Sequence, residues 1–491
     1  MVKAAKGALL STLEIDRRCG VPIYRQIEDF LRKMILGGAL PPSQKLPSTR
    51  ELALELGVSR ITIKSVYEQL ISEGYVQGKT GAGTFVSKGL DSETPVVPSF
   101  KITEKDYLEG NFSQTAEHIS LSQASARYGS IMPFRPGVPA LDKFPIKKWS
   151  KYISRATTKS DVANLSYGGL LGSKKLRASI AHHLADSRGM RVDPKQILIT
   201  SGAQQAFVLI SYVLMNKNDT IWYENPGHIA GRDVMKIAGG HVSPVPIDNE
   251  GLNLPYAILN FPKPKLIFTT PSHQQPLGIT MSLTRRLALL KYAAKNASWV
   301  IEDDYDSEFR YRGRPLPALA ALDKVGRVLY VGTFSKSLFP SVRIGYVVLP
   351  EMLMDVFAKT RNILGQTSSA ITEEALSNFM DDGAFAEHIR KMRRLYRDRR
   401  DILIKALREY CCNILVPQQT DAGMHIIADL KNGMTDRLAH SKLLNSGIDS
   451  LPLSIYYDGP VERQALVLGF SGIQKSLIPT LANEMSRVLS D

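Results

Sequence analysis

The sequence predicts a multidomain protein: a small winged helix-turn-helix at the N-terminus, followed by a much larger α/β domain with a mostly parallel sheet. Three observations predict it. The 491 residues exceed what one hydrophobic core usually organises. The first ninety residues read as helices followed by a hairpin. After residue 132, β-type apolar runs alternate with helical stretches, the pattern of strands joined by helical crossovers.

In the N-terminal part, "PIYRQIEDFLRKMIL" (22–36) places Ile23, Ile27, Phe30, Leu31, Met34 and Ile35 on one helical stripe. "GGALPPSQKL" breaks it with glycine and proline. "PSTRELALELG" restarts a helix: Ser48 and Glu51 form a capping box and Gly57 stops it. "VSRITIKSVYEQLISEG" is a further helix capped by Ser59, with Ile63, Val66 or Tyr67, and Leu70 inward. Arg60, Thr62 and Lys64 lie on its other side. "YVQGKTGAGTFVS" then gives two β-type runs around a glycine-rich turn. In this order of elements the second helix of the pair enters the major groove N-terminus first. Arg60 and Lys64, four apart, share a face that can reach base edges or phosphates, and Arg50 suits the same role. The alternative is a small helical domain used for protein contacts.

Composition is that of an ordinary globular chain: 44% hydrophobic, 22% charged. No apolar run approaches the ~20 residues a membrane span needs, and the start of the chain lacks a sustained apolar stretch, so neither a span nor a signal peptide is expected. Cys19, Cys411 and Cys412 show no disulfide, redox or metal-ligand spacing; a cytoplasmic protein without a metal is expected. The net charge is +15, and residues 1–90 carry 13 Lys+Arg against 8 Asp+Glu. A polyanionic partner fits this balance. The basic run at 388–403 reads as a solvated helix face. Between about 88 and 131 the pattern weakens into a polar, proline-dotted stretch, expected to link domains 20–87 and 132–491.

In the large part, "QILIT", "TIWYE", "KLIFTT", "WVIEDD" and "VLYVGTFS" are strand-like, and "AQQAFVLISYVLM" and "TRRLALLKYAAKN" helix-like. Ligands gather at the carboxyl ends of such strands, and three chemically marked clusters sit there. A pyridoxal phosphate site needs a lysine for the aldehyde and a carboxylate for the pyridine nitrogen. Its phosphate needs free N–H groups, hydroxyls and an arginine. Lys336 follows one strand, with Thr333, Ser335 and Arg343 nearby. Asp303 ends another, and Tyr305 beyond it can bond the ring oxygen. "SGAQQA" (201–206) opens a helix whose N–H groups can cradle phosphate. Each element alone is a weak signal; their joint order along the chain is the specific one.

Residues 22–86 resemble the GntR-type winged helix through "LPSTRELA", "GVSR", "YEQLISEGY" and "GAGTFV". The resemblance implies binding to double-stranded DNA through Arg50, Arg60, Thr62, Lys64 and the wing around Gly81. Ile61 departs from the polar residue usual at its position. "TPSHQQPLGITMSLTRRLALL", "IEDDYDSEFRY" and "VGTFSKSLFPSVRIGYVVLP" resemble fold-type I aminotransferases, and more closely the MocR/GabR group of regulators. Those proteins join a GntR-type head to an aminotransferase-like body with a smaller α+β C-terminal domain.

That resemblance implies pyridoxal 5'-phosphate as cofactor, Lys336 as its Schiff-base lysine and Asp303 as partner of the pyridine nitrogen. It sets Tyr305 at the ring oxygen and Ala203, Gln204, Thr333, Ser335 and Arg343 around the phosphate. Tyr167 would reach the phosphate of the other subunit of a homodimer. His228 stands where an aromatic ring usually stacks on the cofactor, and Gln275 where aminotransferases carry asparagine. "YGGLLG" replaces the usual Asp-Pro-x-Gly. In "ALVLGFSG" (465–472), Val467 takes the place of the arginine that clamps a substrate carboxylate, with Arg463 four residues earlier. The expected function is a regulator that senses pyridoxal phosphate or an amine effector without sustained turnover. The alternatives are a working aminotransferase tethered to DNA, and a DNA-binding dimer whose body is only a scaffold.

Overall fold

The computed structural model describes residues 13, 15–17, 19–79, 81–88, 113–120, 122, 131–158, 168–313, 316–365 and 368–490. The chain divides into two compact units, Met1–Asn111 and Phe112–Asp491.

The first unit holds α1 (Ile23–Leu36), α2 (Thr49–Glu55), α3 (Arg60–Ser72) and the antiparallel hairpin β1 (Val76–Lys79) and β2 (Gly83–Val86). Its core is the expected stripe: Ile27, Leu31 and Ile35 of α1 meet Leu52, Ile63, Val66, Tyr67 and Leu70. Both Val66 and Tyr67 face inward, because Tyr67 extends past the core to donate its hydroxyl to the Pro47 carbonyl at 2.9 Å. The capping box at Ser48 and Glu51 forms in full, and Ser59 caps α3. Each cap satisfies helix-end N–H groups that would otherwise lack partners.

The second unit is built on an eight-stranded sheet. Its strands are β3 (Ile197–Thr200), β4 (Thr220–Asn225), β5 (His241–Asp248), β6 (Gly251–Leu252), β7 (Leu266–Thr269), β8 (Trp299–Asp304), β9 (Val328–Thr333) and β10 (Gly345–Val348). Their spatial order is β3-β10-β9-β8-β7-β4-β5-β6. The pairings β9–β8, β8–β7, β7–β4 and β4–β5 are parallel; β10 is antiparallel to both neighbours, and β6 to β5. Alternate residues feed cores on opposite faces: Ile221 and Tyr223 on one, Trp222 on the other. A sheet covered on both faces accounts for the near-continuous apolar strands.

A smaller antiparallel sheet follows, of β11 (Leu415–Pro417), β12 (His425–Leu430), β13 (Leu451–Pro452) and β14 (Ala465–Gly469), in the order β11-β12-β14-β13. It packs with the long helix Ala384–Tyr410 and helix Ile478–Ser490. The incoming chain is pinned to this sheet, since the N–H groups of Asp449 and Gly469 donate to the carbonyls of Pro133 and Phe134.

Two elements were not evident in the sequence. Strand β10 is only four residues long and is set up by a turn at Arg343. Within the stretch 88–131, most of which lies outside the described residues, helix Gln114–Ser120 starts at a cap by Ser113 and packs on helix Ile229–Ile237. Among the described residues no helix is long and apolar enough to cross a membrane.

Candidate functional site

On the N-terminal unit, α3 presents Arg60, Ile61 and Lys64 to solvent, while Thr62 turns its hydroxyl back to Ser59 at 2.8 Å. Thr62 is half-buried at the first turn, its hydroxyl shared with the cap residue. Arg60 Nε donates to Thr49 Oγ1 at 3.3 Å, and Arg50 and Arg60 rim one shallow groove between α2 and α3. Gly81 is exposed at the hairpin turn with φ 77°. Lys79 and Lys45 flank the Phe85 ring at 5.5 and 5.9 Å, two wing cations that the sequence pattern alone did not single out.

In the second unit, the chemically marked side chains converge where β8 and β9 end. Lys336, three residues past β9, extends its amine to the Gly137 carbonyl at 2.8 Å. Tyr305, Lys336, Gln275, His425 and Gly137 line one small enclosed cavity. Asp303, next to last in β8, carries a buried carboxyl whose Oδ1 has no hydrogen-bond partner among the described residues. Burial first, then the neighbouring Asp304, Asp306 and Glu224, push it well above the ordinary carboxylate range; Lys336 pulls the other way. Such an unsatisfied buried acid is costly and fits a cationic N–H partner.

Beside Asp303 lies His228, its Nδ1 3.8 Å from Asp303 Oδ2. The same nitrogen accepts the Gly231 N–H at 3.3 Å and so caps helix Ile229–Ile237. Its ring lies beside Phe207 and Phe268, which touch each other. Helix Ala203–Leu214 begins at Gly202 with no side-chain cap, which leaves its first N–H groups for an anion. Arg343, in the left-handed conformation with φ 49°, brings a guanidinium nitrogen to 4.0 Å from where a Gly202 Cβ would lie. Thr333 Oγ1 accepts the Ser335 N–H at 3.2 Å. Ala203, Ser335 and Thr333 are half-buried here, and Gln204 is exposed. Tyr167 lies outside the described residues.

The turn carrying Gln275 is anchored from below. Glu224, fully buried, accepts from the hydroxyls of Thr269 and Thr270, and Thr270 Oγ1 in turn accepts the Gln275 N–H at 3.0 Å. The same turn sends His273 toward the cavity wall. Sequence reading passed over it, as it passed over Asp306, Gly137, His425 and Tyr456. Its only signal was its place two residues before Gln275. His273 Nδ1 lies 3.0 Å from the Tyr305 hydroxyl. Burial, with Asp306 and Asp303, pushes Tyr305 well above the usual phenol range, so its hydroxyl keeps its proton.

Val467 is fully buried in β14, packed with Ile427, Leu453 and Tyr456. Arg463 does not take over an arginine role in the cavity: it forms a two-pronged pair with Asp429 on β12. Among the described residues that line the Lys336 cavity there is no arginine.

Fold and site together define a class: a winged helix-turn-helix DNA-binding head joined to a body with the fold of a type I aminotransferase. Residues 23–86 match the family described as bacterial regulatory proteins, gntR family, and residues 130–457 match aminotransferase class I and II. The chain is 35% identical to the probable rhizopine catabolism regulatory protein MocR of Rhizobium meliloti, over 94% of this chain and 92% of that protein. It is 33% identical to the pyridoxine biosynthesis transcriptional regulator PdxR of Corynebacterium glutamicum, over 95% of this chain and 96% of that one. The body resembles Pyrococcus horikoshii kynurenine aminotransferase, solved with PMP, at TM-score 0.68 and 26% identity over 79% of this chain and 97% of that one. The chain belongs to the MocR-type group of GntR-family transcription regulators with an aminotransferase-like domain.

Proposed function

We propose that this regulator holds pyridoxal 5'-phosphate at Lys336 and that its body senses the cofactor itself, or an amine that exchanges with Lys336. The observation that carries this is the pairing of a pocket lysine with a buried, unsatisfied carboxyl at adjacent strand ends. When bound, the cofactor supplies an aldehyde for covalent capture of primary amines. Asp303 holds a charge opposite the ring nitrogen. Tyr305 offers a proton at the ring oxygen, beside Gln275, and His228 packs at the ring. Ala203, Gln204, Thr333, Ser335 and Arg343 hold the phosphate, with Tyr167 of the other subunit in a homodimer.

Sensing without sustained turnover is supported by the buried Val467 and by Arg463 being engaged with Asp429. Without a bidentate arginine, a substrate carboxylate lacks its usual grip. An effector shifts the body between two arrangements only through its differential affinity, about 1.4 kcal/mol per tenfold preference. Arg50, Arg60, Thr62, Lys64 and the wing at Gly81 read DNA, two heads of a dimer reading two half-sites. The protein acts in the cytoplasm.

Absorbance of the purified full-length protein before and after borohydride, with peptide mapping, tests the reading. A reduced label on Lys336 is expected. A protein that takes up no chromophore, even with added cofactor, leaves only a DNA-binding scaffold.

A further inference from the structure

The direction in which Tyr305 offers its proton is decided by His273. The Tyr305 hydroxyl lies 3.0 Å from His273 Nδ1, its one hydrogen-bond partner among the described residues. The same Nδ1 faces both oxygens of Asp306, at 3.1 and 3.2 Å. A carboxylate has only lone pairs to offer, so this approach places a proton on Nδ1. That holds whether the ring is neutral or an imidazolium. A nitrogen that carries its own proton cannot accept one from Tyr305. The tyrosine oxygen is an acceptor on that side, and its O–H is left to point into the cavity it shares with Lys336.

The imidazole is held in this place by its surroundings. Gly278 and Gly423 flank it: a Cβ on Gly278 would lie 3.1 Å from Nε2, and one on Gly423 would overlap the ring. Beyond Nε2 lies Thr420 Oγ1 at 3.5 Å, whose single proton goes to the Ala422 carbonyl at 2.8 Å. Across the ring, at 5.6 Å, is His425. Burial, with His273, lowers His425 to about 4, so it is neutral and donates Nε2–H to the Pro276 carbonyl. Among the described residues Asp306 is the one acidic side chain bonded to His273. Thr420 Oγ1 can only accept from Nε2, and at 3.5 Å it is a weaker acceptor than the two carboxylate oxygens at 3.1 and 3.2 Å, so the carboxylate decides that Nδ1 carries the proton.

We propose that His273, oriented by Asp306, is a positioning residue that fixes Tyr305 as a hydrogen-bond donor toward the ring oxygen of pyridoxal phosphate. This rests on the cofactor reading above, and it gives a role to two residues that make no contact with the cofactor in that reading.

The test is a spectrophotometric pH titration of the cofactor-loaded full-length protein, with cofactor affinity measured alongside. Tyr305→Phe is expected to move the titration midpoint. His273→Ala is expected to move it in the same direction and to weaken cofactor binding about two- to tenfold, the range for one lost hydrogen bond. His273→Asn, whose amide N–H can stand where Nδ1–H stands, is expected to restore the midpoint. His273→Gln, which places its amide toward the Nε2 position, is expected not to restore it. In the Tyr305→Phe background His273→Ala is expected to add nothing. A wild-type midpoint in His273→Ala, or an equal shift in the Tyr305→Phe background, overturns the proposal while the cofactor reading stands. Should His273→Ala fail to fold, a wild-type midpoint in His273→Gln overturns it equally. A wild-type protein without any chromophore overturns both.

Discussion

The amine of Lys336 donates to the carbonyl of Gly137 at 2.8 Å, across 199 residues of sequence. The contact joins the end of β9 to the segment that threads toward the small sheet. Gly137 has φ 76°, and a Cβ there would lie 2.7 Å from the lysine nitrogen. Gly137→Ala is therefore expected to push the amine aside, and to cost about 1–2 kcal/mol for a left-handed alanine. Borohydride labelling at Lys336 is expected to fall while the melting temperature drops only modestly. Undiminished labelling would mean that the lysine finds its place without Gly137.

Asp303 gives a prediction whose sign depends on the cofactor. Burial and its acidic neighbours raise its folded-state pKa above the unfolded value. The folded chain therefore binds that proton more tightly, and the stability it brings is complete below the unfolded value, near 4, and lost as pH rises through the raised one. Cofactor-free Asp303→Asn is expected to be at least as stable as wild type at neutral pH, and this advantage should vanish on acidification below about pH 4. With pyridoxal phosphate the order reverses: the variant is expected to lose tenfold or more in affinity, about 1.4 kcal/mol. Melting curves with and without cofactor decide it. A cofactor-free variant clearly less stable than wild type at neutral pH would falsify the account of Asp303 as an unsatisfied acid.

Why the sequence led to Asp303 and Lys336 but not to His273 is a matter of what local signals encode. Strand-end residues inherit their position from the strand: an apolar run ending in "EDDY" or "TFSK" points its last side chains into the crevice of a parallel sheet. The same logic made the head legible, because capping residues at Ser48 and Ser59 and the inward stripe of α3 are local features. His273 owes its place to contacts with Asp306, Gly278 and Gly423, segments up to 150 residues away. No periodicity records such contacts. Val467 illustrates the converse: its position was legible, but that Arg463 is tied to Asp429 needed the β12–β14 register.

That register bears on attempts to restore an aminotransferase-like carboxylate grip. Val467→Arg places a guanidinium in a fully buried apolar cluster with Ile427, Leu453 and Tyr456. An unpaired buried charge typically costs 3 kcal/mol or more, at roughly the level seen when buried pairs are broken. The variant is expected to lower the melting temperature sharply rather than to gain transamination. Folded, active Val467→Arg protein that turns over an α-amino acid would mean that the cluster opens to let the side chain reach the cavity.

On the DNA-binding head, three side chains of α3 are expected to fail in three distinguishable ways. Arg60 is exposed at the first turn and steadied by Thr49, and in the proposed reading it meets a base edge. Arg60→Ala is expected to cost about 1–3 kcal/mol on the specific site and little on random DNA. Lys64 is exposed and paired only loosely with Glu68 at 3.6 Å, and in the proposed reading it meets a phosphate. Lys64→Ala is expected to weaken specific and random DNA alike and to reduce the slope of log affinity against log salt by about one. Ile61 sits between them, 80% exposed, an apolar side chain that can meet only a thymine methyl or a sugar on this face. Replacing single thymines of the half-site by uracil removes that methyl and nothing else. A drop in wild-type affinity at one thymine, absent in Ile61→Ala, would assign that base to Ile61. Equal behaviour of the two proteins on every uracil-substituted site would remove Ile61 from base reading and leave Arg60 as the reader of that turn.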